Sequence, residues 1–429
     1  MLAFASRLSR VTPFYYGWVI VVIAGLANAS RVSSAVEVAS VFVPSLEAHY
    51  GWTKTTIASA TSIGGVAVAL TGPIVGRLLD RYGSRIVVPI GSVLTGAGCF
   101  ALAGVSTAWV FVAAYAFVRF SGQALVQFPN QVAVAKWFER RRGTASSVLV
   151  GLGAIGLITA PIGITAIING HGIGPAWVAL GVLALTLGVL PTLLLGARNP
   201  EDLGLQPDGG LAPSGEQAAE ARRVEHANAW TLSEAIRTPA LWLICGSTVL
   251  FSVSSTGVGF HQLAYYVEQG MSSSTAAAIV STFAVGITFG GVGWGLLADR
   301  VSVRWLVSVQ YVVQTGVSLA LLASDTPIEG FALSFVLGLI VGGALSLPTL
   351  LLATYYGRRY LGAISGILQT TRGISLGSGP VVAALIHDVT GGYDGAFVTF
   401  AAFCLAAFVM MLALRRPSRR GVAAGRTAK

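Results

Sequence analysis

The amino-acid sequence predicts an all-α membrane protein with twelve transmembrane helices, arranged as two pseudo-symmetric six-helix bundles. Three observations predict this fold class. Of the 429 residues, 54% are hydrophobic and 10% are charged, whereas a soluble domain carries about 25% charged residues. The apolar residues fall into long blocks, which raises the mean hydropathy to +0.74. The two halves of the chain also repeat each other.

The apolar blocks are long enough to cross a bilayer as helices. The blocks 86–105, 177–195 and 305–323 contain no charged residue. A helix needs about 20 such residues to cross a hydrocarbon core of about 30 Å. Twelve predominantly apolar blocks lie between basic or Gly/Pro-rich breaks, and we number them spans 1 to 12: 15–46, 55–79, 86–106, 108–135, 144–168, 175–197, 239–267, 272–298, 304–323, 328–353, 363–386 and 394–414.

The cationic residues predict the orientation. The chain has 27 lysines and arginines, and 23 of them lie at the termini or in or beside the even-numbered loops, all on one side of the membrane. Of the other four, Lys54 falls in a loop on the opposite side, and Arg31, Arg119 and Arg372 lie inside spans. Excess Lys and Arg marks the cytoplasmic side, so both termini are expected there, in a plasma membrane or bacterial inner membrane. This pattern and an anionic lipid surface explain the net charge of +10 better than a nucleic-acid partner does.

A polar stretch divides the chain. We expect an N-terminal bundle at 1–197, a cytoplasmic linker at 198–238, a C-terminal bundle at 239–414 and a basic cytoplasmic tail at 415–429.

A shift of 219 residues aligns the halves without a gap. Six spans in each half make the two bundles parallel repeats, which places a solute site between them near the midplane. The identities are Gly72/Gly291, Gly76/Gly295, Leu78/Leu297, Asp80/Asp299, Arg81/Arg300, Arg85/Arg304, Pro129/Pro348, Arg140/Arg359, Gly143/Gly362, Ser146/Ser365 and Pro161/Pro380.

The loop after span 2 carries the motif GRLLDRYGSR at 76–85, and the loop after span 8 carries a degenerate copy, GLLADRVSVR, at 295–304. With this motif the chain resembles the major facilitator superfamily. The second copy has Ser302 where the first has Gly83, so a less sharp turn is expected there. The resemblance implies the major facilitator fold and transport of a solute by alternating access.

The twin motifs suggest a gate. Gly76 lets two helices approach closely, and Asp80 lies among Arg81 and Arg85, so such a cluster can bridge helices when the cytoplasmic mouth is shut. The alternative is that the arginines only determine topology. The predicted gating residues are Gly76, Asp80, Arg81, Gly83, Arg85, Gly295, Asp299, Arg300 and Arg304.

Two arginines lie deep inside spans. Arg119 is about 11 residues into span 4 and Arg372 about 10 residues into span 11, which puts both near a depth of 15 Å at about 1.5 Å per residue. One guanidinium from each half is suited to bind a carboxylate. The alternative for each is a structural bond. Spans 3, 6, 9 and 12 have uncharged interiors, typical of lipid-facing helices.

Span 1 is the most polar span. Ser30, Ser33, Ser34 and Glu37 follow helical spacing and are expected to form one stripe, in which Glu37 either neutralises an arginine or carries a proton. His261 in span 7 is a second candidate for proton coupling, with a packing role as its alternative. Further candidates for the substrate site are Arg31, Asn28, Tyr115, Gln123, Gln127, Asn130 and Gln369.

No enzyme, metal or cofactor site is expected. The motif GLGAIG at 151–156 matches a dinucleotide fingerprint by spacing, but it lies inside an apolar span with no preceding strand, so helix packing explains it better.

Three further segments are similar to the bacterial branch of monocarboxylate and oxalate/formate transporters: YYGWVI at 15–20, KWFERRRG at 136–143 and PEDLGLQPDG at 200–209. Arg372 matches a cationic anion-binding position of that branch, whereas span 8 lacks the arginine of these relatives. The resemblance implies proton-coupled transport of a small organic anion, a mono- or dicarboxylate, by a monomer. The alternative is a proton-driven efflux antiporter for an amphipathic compound.

Overall fold

The computed structural model describes residues 2–209 and 229–417, without the side chains of residues 2–4, 36, 37, 54, 376 and 377. Residues 210–228 of the expected linker and 418–429 of the expected tail therefore lie outside the description. The contacts divide the chain into two compact units. Unit 1 contains Met1–Ala229 and Arg358–Gly366, and unit 2 contains Trp230–Gly357 and Ile367–Lys429.

Unit 1 begins with a short helix, Leu2–Val11, and then contains spans 1 to 6. Several spans are composed of more than one helical piece. Their bounds are Gly17–Ser30, Arg31–Ser34 (3₁₀) and Val36–Tyr50 for span 1; Lys54–Tyr82; Ser84–Ala103; Ala108–Phe120, Ser121–Gln127 (π) and Phe128–Trp137 for span 4; Arg142–His171; and Ile173–Leu183, Ala184–Val189 (π) and Leu190–Leu195 for span 6.

Unit 2 contains spans 7 to 10, most of span 11, and span 12. Their bounds are Pro239–Glu268; Ser273–Ala298; Val303–Ala320 with the 3₁₀ turn Leu321–Ala323; Pro327–Ala344 and Leu347–Tyr356 for span 10; Leu361–Thr390; and Asp394–Ala413. The first turns of the span 11 helix belong to unit 1 by their contacts.

The number of spans agrees with the sequence. Within the described residues, 11 helices are long and apolar enough to cross a membrane. The 30-residue helix Leu361–Thr390, which includes positions outside the description, completes the predicted twelve. The all-α prediction is confirmed.

Among its described residues, unit 1 contains two large apolar clusters and a small one formed by Ala27, Val88 and Val126. One large cluster contains Phe42 stacked on Trp177 at 3.9 Å between ring centroids, and the other large cluster contains Trp137 and Leu149. Buried polar side chains also lie on spans 1, 3 and 4 of unit 1: Asn28, Ser30, Ser33, Ser34, Ser92, Thr95, Ser121 and Asn130. Because a buried hydroxyl costs free energy unless it is hydrogen-bonded, these side chains require partners within the unit. Thr95 and Ser121, for example, bond to each other at 2.8 Å.

Unit 2 brings spans 8 and 10 into backbone contact. A Cβ added at Gly290 would lie 2.0 Å from the carbonyl oxygen of Leu339, and one at Gly338 would lie 2.1 Å from that of Phe283. Helices in a membrane associate through such close packing because apolar lipid provides no hydrophobic drive between them.

Candidate functional site

Span 1 is interrupted halfway along. The helix Gly17–Ser30 gives way to the 3₁₀ turn Arg31–Ser34, and Ala35 is extended at φ −85° and ψ 144° before the helix resumes. The Ser34 hydroxyl donates to the Arg31 carbonyl at 2.8 Å. Serine side chains compete with helix backbone bonds in this way, which explains why the helix ends here.

The prediction of one helical stripe through Ser30, Ser33, Ser34 and Glu37 was therefore wrong. The 3₁₀ turn and the extended residue after it change the angular spacing between Ser30 and Glu37. The side chain of Glu37 lies outside the described part of the structure.

Side chains of span 4 donate hydrogen bonds to backbone carbonyls at the break in span 1. Arg119 Nη1 donates to the Ser34 carbonyl at 3.0 Å, and the Tyr115 hydroxyl donates to the Ala35 carbonyl at 3.3 Å. Arg31 Nη1 approaches the Ser34 hydroxyl at 3.4 Å. Non-helical backbone at membrane depth is tolerated only where protein or water satisfies it. The break therefore brings Arg31, Tyr115 and Arg119 together.

Span 4 continues past Arg119 as a π-helix, Ser121–Gln127. A Cβ at Gly122 would lie 2.5 Å from the Ser34 hydroxyl oxygen, so the glycine is needed for this close approach. Gln123 and Gln127 are partly exposed, whereas the residues between them are buried. π-turns occur frequently at functional sites.

Asn28 has a different environment from the arginines. Its side-chain oxygen accepts a hydrogen bond from Asn130 Nδ2 at 3.1 Å, and the same amide donates to the Ala24 carbonyl at 3.2 Å. Both asparagines are buried. They join span 1 to span 4 inside unit 1.

In unit 2, Arg372 is partly buried and lies near the buried Tyr311 of span 9. The Tyr311 hydroxyl donates to the Ser247 hydroxyl of span 7 at 3.4 Å. Gln369, one helical turn before Arg372, is also partly buried. Span 9 therefore contributes Tyr311 to the surroundings of Arg372, while Val309 and Val312 of the same span are exposed, as expected of a lipid-facing helix.

Sequence reasoning missed the buried amides of unit 2. Gln314 accepts from the Ser255 hydroxyl at 3.5 Å, and Gln310, one turn earlier, donates to the Ile340 carbonyl at 3.0 Å. The four-residue spacing of the two glutamines on an otherwise apolar span was the signal for an inward polar face.

Both ring nitrogens of His261 have partners. Nε2 lies 3.0 Å from the Pro380 carbonyl oxygen and Nδ1 lies 3.0 Å from the Tyr393 hydroxyl. Since a carbonyl only accepts, Nε2 carries a hydrogen, and Nδ1 either accepts from the hydroxyl or, in the cation, donates to it. His261 joins spans 7, 11 and 12 inside unit 2.

The first gating motif lies at the start of the span 11 helix. Asp80 Oδ1 pairs with Lys136 Nζ at 2.8 Å, and both side chains are less than a tenth exposed. The same carboxylate accepts from the backbone N–H groups of Gly362 at 3.0 Å and Ala363 at 2.7 Å. A carboxylate at a helix N-terminus is favoured by the free N–H groups and by the helix dipole.

The partners of Asp80 differ from those expected. Arg81 lies over the ring of Tyr82, and Arg85 Nη2 donates to the Leu193 carbonyl at 3.5 Å, so Lys136 takes the place that the sequence suggested for these arginines. Lys136 was missed because it follows 56 residues after Asp80 in the chain, and only the fold brings the two together.

Gly76 and Gly83 of the first motif allow close contacts that a side chain would block. A Cβ at Gly76 would lie 2.2 Å from the Gly362 carbonyl oxygen. Gly83 has φ 78°, and a Cβ there would meet Arg198, whose guanidinium donates to the Asp80 carbonyl. The equivalent Ser302 has φ −59°, which agrees with the less sharp turn expected in the second copy.

The second copy of the motif makes different contacts inside unit 2. Arg304 donates from Nε to the Met411 carbonyl at 3.0 Å and from Nη2 to that of Leu412 at 2.8 Å, which fixes the end of span 12. Gly295 is buried, and Asp299 and Arg300 end the span 8 helix in a turn.

Among the described residues, no three His, Cys, Asp or Glu side chains come together as metal ligands would.

Comparisons with known proteins agree with this architecture. A family model described as Major Facilitator Superfamily matches residues 17–268 and 243–429. Monocarboxylate transporter 13 of Bos taurus is 24% identical over 406 residues, covering 93% of this chain and 89% of the relative. The fujikurins efflux protein of Gibberella fujikuroi is 25% identical over 349 residues, covering 80% and 70%.

Among solved structures, the transporter FucP in the outward conformation superposes with a TM-score of 0.71 over 93% of this chain and 99% of FucP. At 13% identity this likeness concerns the fold alone. The family match, which covers nearly the whole chain, and the fold lead to one conclusion. This chain belongs to the Major Facilitator Superfamily and is a multi-pass membrane transporter rather than an enzyme.

Proposed function

We propose that this transporter carries a small organic anion, a mono- or dicarboxylate, by alternating access and together with a proton. One observation carries the proposal. The Arg119 guanidinium is held in mid-span against the carbonyl of the broken turn, where a buried positive charge costs about 2.5–3.5 kcal/mol and therefore calls for a function. The similarity to a monocarboxylate transporter supports a carboxylate as the solute.

The chemistry of the two arginines suits a carboxylate. A guanidinium has five N–H donors in a planar fork, and a carboxylate is a stronger acceptor than the neutral Ser34 carbonyl. Arg119 in unit 1 and Arg372 in unit 2 are the principal anion-binding residues in this proposal. Arg31, Tyr115, Gln123, Gln127 and Gln369 supply further polar contacts, and Asn28 positions span 1 through Asn130.

Proton coupling is assigned to Glu37, which follows two residues after the extended Ala35 in span 1. His261 is the second candidate, because its Nδ1 accommodates both protonation states against the Tyr393 hydroxyl. An acid whose proton is taken up with the solute makes accumulation depend on the pH gradient.

The gate is assigned to Asp80. Its bonds to Gly362 and Ala363 attach the start of span 11 to the motif after span 2, and their rupture would accompany opening of one side of the transporter. We propose that this side, which carries most of the basic loop residues, is cytoplasmic, and that the protein works as a monomer in a plasma membrane or bacterial inner membrane.

Uptake of labelled lactate and oxalate into proteoliposomes, with and without a pH gradient, tests the proposal. Arg119→Ala and Arg372→Ala are each expected to reduce uptake by tenfold or more, since loss of a charged hydrogen bond costs about 1.5–3 kcal/mol. The lysine variants should retain part of the uptake. Arg237→Ala, which removes an exposed arginine outside the spans, is the matched control. Full carboxylate uptake by both alanine variants would contradict the proposal.

The second candidate is proton-driven efflux of an amphipathic compound, which the similarity to the fujikurins efflux protein favours. In that case Arg119 serves mainly to hold span 1. Resistance of expressing cells to a panel of amphipathic compounds, without carboxylate flux in proteoliposomes, would support efflux instead.

A further inference from the structure

Three segments outside the membrane-spanning helices come together at one end of unit 1. Tyr15 comes two residues before the first helix of span 1, Gly17–Ser30, residues 138–141 join the helices of spans 4 and 5, and residues 199–208 follow the last helix of span 6. The Tyr15 hydroxyl donates to the Trp137 carbonyl at 2.7 Å, and its ring packs edge-on against Phe138 at 5.4 Å. We call this assembly the clasp.

Asp208 holds the clasp together. Its carboxylate accepts from three consecutive backbone N–H groups, those of Glu139 at 2.9 Å, Arg140 at 2.6 Å and Arg141 at 3.2 Å. These groups lie directly before the span 5 helix, Arg142–His171, so an anion there is favoured by the helix dipole. Burial, followed by the charge of Asp208, raises the pKa of Tyr15 and keeps its hydroxyl a donor.

Glu201 lies on a rigid turn of the clasp. The 3₁₀ turn Pro200–Leu203 is closed by a reciprocal capping box between Asn199 and Asp202 and ends at Gly204, which has φ 72°. The backbone of Glu201 is therefore fixed at both ends of the turn, and its carboxylate points to one partner.

That partner is Arg358. Its Nη2 lies 2.7 Å from Glu201 Oε1, and its Nε lies 3.7 Å from Glu139 Oε1. The Arg358 side chain is 18% exposed, Glu201 30% and Glu139 55%. The Glu201 pair is both shorter and less solvated, so it dominates, because exposed ion pairs contribute little.

The position of Arg358 in the chain gives this pair its significance. Arg358 begins the segment Arg358–Gly366, which belongs to unit 1, although the chain on both sides of it belongs to unit 2. The same segment is bound a few residues later by Asp80 through Gly362 and Ala363. The segment is therefore attached to unit 1 at two separate points.

We propose that Arg358 and Glu201 form a second latch, which must open for the segment Arg358–Gly366 to leave unit 1 during transport. Glu139 assists the latch, and Asp208 and Tyr15 are positioning residues that hold the clasp in place. The inference rests on the alternating-access part of the proposed function and is independent of the solute.

Labelling of a buried cysteine tests the latch without any substrate. Ser365 is fully buried, in the same segment. Ser365→Cys, in a background with Cys99, Cys245 and Cys404 replaced by alanine, is reacted with N-ethylmaleimide in detergent. Arg358→Gln and Glu201→Gln should each accelerate labelling about five- to tenfold, as expected for a partly buried ion pair.

The adjacent Arg359 provides the matched control. Its guanidinium lies over the Tyr360 ring at 5.5 Å, and Arg359→Gln removes the same charge without touching Glu201. Arg359→Gln should leave the labelling rate within about twofold of the parent, as for a surface change. The exchanged pair Arg358→Glu with Glu201→Arg should restore slow labelling.

The Asp208→Asn variant tests whether Asp208 acts on the latch by holding the clasp in place. It should accelerate labelling, and combining it with Glu201→Gln should add nothing further, since both act through one contact. A merely destabilising effect would add to that of Glu201→Gln. Size-exclusion profiles and thermal midpoints show whether each variant is folded. If Arg358→Gln does not fold, Glu201→Gln alone tests the ion pair.

The latch proposal would be overturned if folded Glu201→Gln were labelled at the parent's rate. It would also be overturned if Arg359→Gln accelerated labelling as much as Arg358→Gln does. Either result with normal carboxylate uptake would leave the proposed function in place. Conversely, accelerated labelling in a protein that transports no carboxylate would support the latch and contradict only the choice of solute.

Discussion

At the residue scale, Asp80 performs two tasks with one carboxylate. It neutralises Lys136, which is 8% exposed, and it caps the N-terminus of the span 11 helix. Each bond is charge-assisted, and the surroundings exclude most water, so both bonds are stronger than they would be at the surface. The neighbouring arginines bond elsewhere, which makes the aspartate the critical member of the motif.

Asp80→Asn should reduce transport about tenfold or more, because hydrogen bonds to a charged group contribute about 1.5–3 kcal/mol each. The neutral amide keeps the size of the side chain but leaves Lys136 without its counter-charge and weakens the cap. Initial uptake rates, normalised to the amount of purified protein, measure the effect.

Asp325→Asn is the control for Asp80→Asn, since Asp325 is an exposed residue between spans 9 and 10. It should leave uptake within about twofold of the parent, as expected for a surface substitution. Normal uptake by Asp80→Asn at normal expression would contradict the gate.

At the element scale, the interruptions of spans 1 and 4 coincide with polar chemistry. Span 1 breaks at Arg31–Ser34, and span 4 forms a π-helix directly after Arg119. At the break, Arg119 donates to the Ser34 carbonyl, and Tyr115 donates to the Ala35 carbonyl, which also accepts from the Ala39 N–H. By contrast, spans 8 and 10 are held by uninterrupted backbone contact between glycines.

Gly290→Val should destabilise unit 2 by about 1–3 kcal/mol, the usual cost of overpacking. The added Cβ would lie 2.0 Å from the Leu339 carbonyl oxygen, so the two helices must separate. A lowered thermal midpoint and a reduced yield of monodisperse protein are the measurements. Gly293→Ala, whose Cβ would have nothing within 4 Å, is the control and should behave as the parent.

At the scale of the whole molecule, the distribution of charge predicts the orientation. Loops with excess Lys and Arg remain cytoplasmic, because moving them across the membrane is unfavourable. Gln206 and Ser106 are both exposed, Gln206 after span 6 and Ser106 between spans 3 and 4. The two positions therefore report opposite sides of the membrane.

A membrane-impermeant maleimide should label Ser106→Cys in intact cells, and it should label Gln206→Cys only after permeabilisation. The background lacks Cys99, Cys245 and Cys404. The reverse pattern, or labelling of both positions in intact cells, would contradict the proposed orientation.

The sequence by itself determined what depends on composition and local pattern. Hydrophobic blocks of sufficient length cross a bilayer whatever their neighbours, so twelve spans, the internal repeat and the family were predictable. The expected depth of Arg119 and Arg372 likewise comes from counting residues along each span. These properties need no knowledge of which helices touch.

Only the tertiary structure decided which groups meet. Lys136 and Asp80 pair across 56 positions, Asp208 caps a helix that begins 66 residues earlier, and Arg358 reaches Glu201 from a distant loop. The break in span 1 was also visible only in the tertiary structure, because a 3₁₀ turn in an apolar span is stable only when a neighbouring helix satisfies its carbonyls. Long-range contacts of this kind depend on packing, and the local sequence pattern carries no record of them.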